Sequence, residues 1–210
     1  MFSARLSIKI LPHHIKYNKI IAQENTYMFS QDILDSRQVM LSDTIRRLWF
    51  EHILWTRFFI ISTAEEIGDL ELVTQRLLKN PPDFGEALGR FYGKSVAERF
   101  VKLLTDHLLI AADLVNAAKA GDEKSAETAR TRWYDNADDI AAFLGEINPF
   151  WSERQWQEML YEHLELTEEE AAQRLAGNYQ RDIELFDDIE EQALHMADVM
   201  TRGLLRQFQM

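Results

Sequence analysis

Three histidines in this 210-residue chain share one local pattern: Glu51-His52-Ile53, Asp106-His107-Leu108 and Glu162-His163-Leu164, each an acid, an imidazole and an aliphatic residue. The imidazoles stand 55 and 56 residues apart. Each is followed by an Arg, an Asn four residues later, and an Asp three or four beyond that. The sets are Arg76, Asn80, Asp83; Arg132, Asn136, Asp139; and Arg174, Asn178, Asp182. Imidazole nitrogen and carboxylate oxygen together suit a divalent transition metal. His52, His107 and His163 with Asp83, Asp139 and Asp182 are therefore the candidate ligands. A buried imidazole needs a partner at both ring nitrogens, which makes Asn80, Asn136 and Asn178 the candidate polar layer around them.

The same residues admit other readings. A His/Asn/Asp layer can be metal-free and hydrogen-bonded, fixing the register of a structural or protein-interaction module. An enzyme using the layer as acid and base is a third reading. Familiar enzyme and metal signatures are missing. There is no Glu-x-x-His of the di-iron bundles, no His-Glu-x-x-His, no phosphate-cradling Gly-rich loop and no nucleophile elbow. Cys is absent, so thiolate zinc sites, cysteine nucleophiles and disulfides are excluded.

The elements that must position the histidines read as helices. Leu48, Trp49, His52, Trp55 and Phe59 recur at helical spacing behind a Ser42 cap, giving a helix from about Asp43 to Glu66. Asp69 caps a second helix that Pro81-Pro82 breaks, with a short continuation from Phe84 to Phe91. A third runs from Ser95 to Lys119, and a fourth follows the Asp122 cap and stops at Asn148-Pro149. Ser152-Glu-Arg-Gln155 and Thr167-Glu-Glu-Glu170 read as capping boxes, opening one helix that carries His163 and a last one from Glu168 to Arg206. Each histidine lies within an apolar row, and neighbours at i±3 and i±4 share a face, so all three should point inward. Leu88-Gly89 matches Leu144-Gly145 in the same register as the Arg, Asn and Asp matches. The expected fold is all-α, an antiparallel up-down bundle of about six helices built from repeated helical hairpins.

Charge and composition bound the partners. Lys and Arg number 23 against 35 Asp and Glu, a net charge of -12 that opposes binding to a phosphate backbone, so no nucleic-acid partner is expected. Residues 1–40 form a basic, partly flexible arm, and 41–208 the single bundle domain. The arm has no continuous apolar run of the secretory type, because Lys9, Pro12, His13 and His14 interrupt it. The apolar stretch from Leu48 to Ile61 is too short to span a bilayer. A cytoplasmic location without a membrane partner is the expectation. A surplus aromatic patch at Trp151 and Trp156 would suit a homodimer.

The stretches Leu48-Trp49-Phe50-Glu51-His52-Ile53-Leu54-Trp55-Thr56-Arg57, His107-Leu108-Leu109-Ile110-Ala111-Ala112-Asp113-Leu114-Val115 and Ala197-Asp198-Val199-Met200 resemble a family of uncharacterised cytosolic all-helical proteins of spore-forming and related bacteria. The resemblance covers roughly residues 40–208 and implies the extent of the domain. Some members carry an acetylglutamate kinase name. That kinase type is an α/β fold with Gly-rich phosphate loops, and no such loop stands in this sequence, so the resemblance implies no kinase activity here.

Overall fold

A computed structural model describes the backbone of residues 13–210 and the side chains from Ser36 onward. Residues 1–39 and 40–210 are separate compact units. Expectations that fall on the N-terminal arm, including its basic side chains, His13 and His14 and its flexibility, lie outside the described residues.

Among the described residues the chain forms seven helices and no strand: α1 (His13–Ala64), α2 (Leu70–Leu77), α3 (Asn80–Tyr92), α4 (Lys94–Ala120), α5 (Glu123–Ile147), α6 (Glu153–Leu175) and α7 (Tyr179–Gln207). α3 packs on α4, α4 on α5, α5 on α6 and α6 on α7, making an all-α bundle of antiparallel neighbours. α1 joins them through its side chains. Trp49 meets Phe84 of α3 and stacks on Trp156 of α6, while Arg46 pairs with Asp198 of α7.

Local chemistry sets most boundaries. Asp122 accepts from the Ser125 amide at 3.0 Å and caps α5, directly after Gly121 takes the left-handed conformation that closes α4. Ser152 caps α6. Pro81 and Pro82 lie in the first turn of α3, where the lost N–H costs nothing, so they start that helix. Asp69 precedes α2 without capping it, because its carboxylate accepts from Ser62 instead.

Two expected boundaries are overturned. α1 does not begin near Asp43: no Gly or Pro stands between Pro12 and Gly68, so nothing stops the helix, and Ser42 is an interior residue. Thr167 does not open the last helix. It is buried inside an unbroken α6, and the chain turns ten residues later at Gly177, which adopts φ 77°. A capping-box pattern without a preceding breaker is only a stretch of good helix formers.

The core centres on an aromatic cluster between α1, α3, α4, α5 and α6. Trp49 and Trp156 stack at 6.3 Å, Phe84 meets Phe100 edge-on at 5.8 Å, and Phe100 stacks on Phe143 at 5.9 Å. Trp151 and Trp156 belong to this interior, at 3% and 0% exposure. They are not a surface patch and offer no dimer face, because the indoles are already covered by the chain's own helices. No helix among the described residues is long and apolar enough to cross a membrane.

The pyrrole side of Trp151 packs against Gly203 of α7, so closely that a Cβ at Gly203 would overlap the indole at Nε1. The ring is buried and its Nε1 donates to the Val199 carbonyl, which leaves it little room to retreat. Gly203→Ala is therefore expected to lower unfolding free energy by about 1–3 kcal/mol, measured by urea denaturation, although the same change in an open helix would stabilise.

Candidate metal centre

His52 on α1, His107 on α4 and His163 on α6 meet at one level of the bundle. Ring centroids lie 5.9 Å apart for His52 and His107, 5.7 Å for His52 and His163, and 6.3 Å for His107 and His163. One ring nitrogen from each lies within 4.8 Å of the other two. All three residues are 2% exposed.

The helices that return against α1 and α4 orient two of the rings. His52 Nδ1 is 3.1 Å from Asn80 Oδ1, and Asn80 Nδ2 donates to the Leu48 carbonyl at 2.9 Å. His107 Nδ1 is 3.0 Å from Asn136 Oδ1, and Asn136 Nδ2 donates to the Leu103 carbonyl at 3.1 Å. In both cases that carbonyl lies four residues before the histidine. Because each amide nitrogen is committed to a carbonyl, the amide oxygen must be what faces the ring. An oxygen can only accept, so Nδ1 carries the proton and Nε2 keeps its lone pair.

The third set uses a residue that sequence reasoning missed. Gln192 of α7 donates from Nε2 to the Met159 carbonyl at 2.7 Å, again four residues before the histidine. Its Oε1 and His163 Nδ1 have no hydrogen-bond partner among the described residues, so this arm is only half closed. The signal was available. Asn80 and Asn136 follow their histidines by 28 and 29 residues, and Gln192 follows His163 by 29. Asn178 cannot serve, because it lies in the turn after α6 and its side chain bonds Gln173 at 2.8 Å.

None of the three expected carboxylates reaches the rings. Asp83 and Asp139 are exposed. On α5 the buried face is defined by Trp133, Ala137, Ile140, Ala141 and Leu144, with Asn136 at its edge. At roughly 100° per residue, Asp139 lies a further 60° or so round, on the solvent side. Asp182 is buried but engaged elsewhere. Arg57 Nη1 donates to it at 2.8 Å and Arg174 Nη1 at 3.2 Å, while Arg57 also pairs with Glu170. Burial pushes the Glu170 carboxyl up to about 7, against the pull of Arg57.

The rings are held neutral. Burial lowers His52 to about 4, against the raising effect of Asn80. Burial and the neighbouring His52 lower His107 to about 3. His163 is pushed well below the ordinary value by burial and by both other rings, against the raising effect of the nearby Gln192 amide, which falls short of full hydrogen-bond geometry. No carboxylate acts on any of them. Neutral imidazoles are the protonation state that metal ligation requires.

Comparison with family models, with curated proteins and with solved structures yields no match.

Two outcomes follow for the metal-free protein. Native histidines with depressed pKa values bind fewer protons than unfolded ones, so their contribution is complete above pH 6.5 and is lost as pH falls from there toward 3–4. Glu170, raised to about 7, acts oppositely as pH falls toward 4.5, as one group against three. Denaturation midpoints should therefore fall between pH 6.5 and 4, and the fall should shrink in His107→Leu. Asn136→Leu strands the His107 Nδ1 proton and should cost about 1–3 kcal/mol. Gln192→Leu should cost less, since the His163 Nδ1 is already unpaired; urea midpoints of the two variants make the comparison.

Proposed function

We propose that this protein is a non-enzymatic, divalent-metal-binding helical bundle in which His52, His107 and His163 each supply Nε2 to one ion of the zinc class. The observation that carries the reading is the convergence of three neutral ring nitrogens within 4.8 Å, two of them with Nδ1 tied back by an asparagine. A ligating histidine typically donates its other ring N–H to an outer-shell acceptor that fixes tautomer and ring plane, and Asn80 and Asn136 have that role. An equilateral triangle of that edge has its centre about 2.8 Å from each corner, so rings need to move in by about 0.7 Å to reach a Zn–N distance of 2.0–2.1 Å. Three protein ligands leave a fourth position open.

A metal-free layer serving register alone is less well supported. A purely structural layer would alternate donor with acceptor, whereas His52 and His107 both keep a lone pair at Nε2. A cytoplasmic location belongs to the same proposal.

Metal analysis of protein made without a His tag, then dialysed against micromolar Zn2+, tests the reading. One zinc per chain is expected, with affinity at least about 100-fold weaker in His107→Ala and a melting temperature that drops on chelation. Protein that stays metal-free, and whose melting ignores both zinc and chelator, would instead establish the hydrogen-bonded layer.

A further inference from the structure

The residues on the two sides of the histidine layer differ in size. One turn toward the N-terminal ends of α1, α4 and α6 stand Leu48 and Trp49, Leu103 and Leu104, and Met159 and Leu160, beneath which the Trp49–Trp156 stack closes the core. One turn the other way, four residues after each histidine, stand Thr56, Ala111 and Thr167. All three line a cavity of about 160 Å³. Side chains at i and i+4 lie one above the other on a helix, so these small residues form the part of the cavity wall nearest the imidazoles, the throat through which a ligand would reach them.

Beyond the throat the walls are apolar, with Phe59, Ile60, Leu108, Val115 and Ala171 among them. The outer rim includes the half-exposed pair Arg130 and Glu168, joined from Arg130 Nε at 2.7 Å, and the exposed Ala118 and Ala172. Two buried polar groups on this lining have no partner among the described residues: Thr167 Oγ1, at 5% residue exposure, and Trp133 Nε1, at 2%. Thr56, at the equivalent level on α1, donates to the His52 carbonyl at 2.8 Å, whereas the Thr167 hydroxyl makes no such bond. The Trp133 ring lies 5.3 Å from His107 and so spans from the metal layer to the cavity wall.

We infer that the cavity is the binding chamber for a small monocarboxylate with an apolar body of about benzene size, whose carboxylate passes the Thr56–Ala111–Thr167 throat to take the fourth position on the ion. This inference rests on the metal-binding reading above. The charge balance selects an anion. Imidazole ligands bring no charge to a dication, Asp83 and Asp139 are exposed and Asp182 is paired with Arg57 and Arg174, and a buried charge demands a counter-charge. A carboxylate halves that charge. Its oxygens can accept from the Thr167 hydroxyl and the Trp133 N–H, which as donors would be mismatched to a cation. The volume selects the body, since an apolar cavity of about 150 Å³ accommodates benzene.

The test uses the full chain loaded with Co2+, whose visible d–d bands report coordination, titrated with acetate, benzoate and 2-naphthoate. The expected result is a saturable band shift with benzoate, at least tenfold weaker with acetate and absent with 2-naphthoate. Thr167→Val should weaken benzoate several-fold, and Ala111→Leu, which narrows the throat, should abolish its shift while cobalt stays bound. The acid series on the unaltered chain carries the test if Ala111→Leu fails to fold. Cobalt binding without a benzoate shift, or with equal responses to all three acids, would overturn the chamber and leave the metal reading standing. Failure to take up cobalt would overturn both.

Discussion

The arrangement depends on how two asparagine side chains are pinned. Asn80 and Asn136 each give their amide hydrogens to a helix carbonyl four residues before a histidine, which leaves only an oxygen to present to the imidazole. That oxygen settles the tautomer of His52 and His107 and leaves the lone pair of each at Nε2. The contacts are individually worth about 1 kcal/mol, but they are made in a layer from which water is almost excluded, where a misplaced proton is expensive. Burial then does the rest. It depresses the pKa of all three rings, His52 adds to this at His107, and His52 and His107 both add to it at His163.

The bundle built around this layer is asymmetric along its length. On one side large aromatic residues from α1, α3, α4 and α6 close the interior, with Trp156 and Phe84 at 0% exposure. On the other α1, α4 and α6 present two threonines and an alanine, and the packing gives way to an apolar cavity on which the Thr167 hydroxyl and the Trp133 N–H are unpaired among the described residues. Such a cavity costs stability in a protein that needs only a register device. Its position directly above three convergent nitrogens gives a physical reason for it: an ion with three protein ligands needs access on one side and exclusion of water on the other. The Arg57, Arg174, Glu170 and Asp182 cluster plays no part in this. It neutralises buried carboxylates between α1, α6 and α7.

Much of the fold was legible because helix rows, Gly-Asp turns and the 55- and 56-residue histidine intervals are local or periodic signals. The inward aim of His52, His107 and His163 followed from their place in apolar rows. The carboxylates match the repeat in spacing, but spacing does not fix the direction of a side chain. Asp139 shares a helix with Asn136 but falls outside its buried arc, and Asp182 has arginine partners contributed by α1 and α6 that no spacing reveals. Gln192 was hidden by matching residue type before distance: the interval of 28 or 29 residues from each histidine identifies it, whereas the identity Asn led to Asn178. The cavity was not legible at all. It arises where small residues on three helices come to one level, a coincidence that exists only once the helices have packed.

Side-chain nitrogen NMR of the three histidines at pH 7, recorded before and after one equivalent of Zn2+, reads the protonation and ligation of each ring nitrogen. His52 and His107 should be neutral with the proton on Nδ1 in the metal-free protein, and the Nε2 signals of all three rings should shift together on zinc addition while Nδ1 keeps its proton. A proton on Nε2 of His52 or His107, or Nε2 signals indifferent to zinc, would contradict this arrangement.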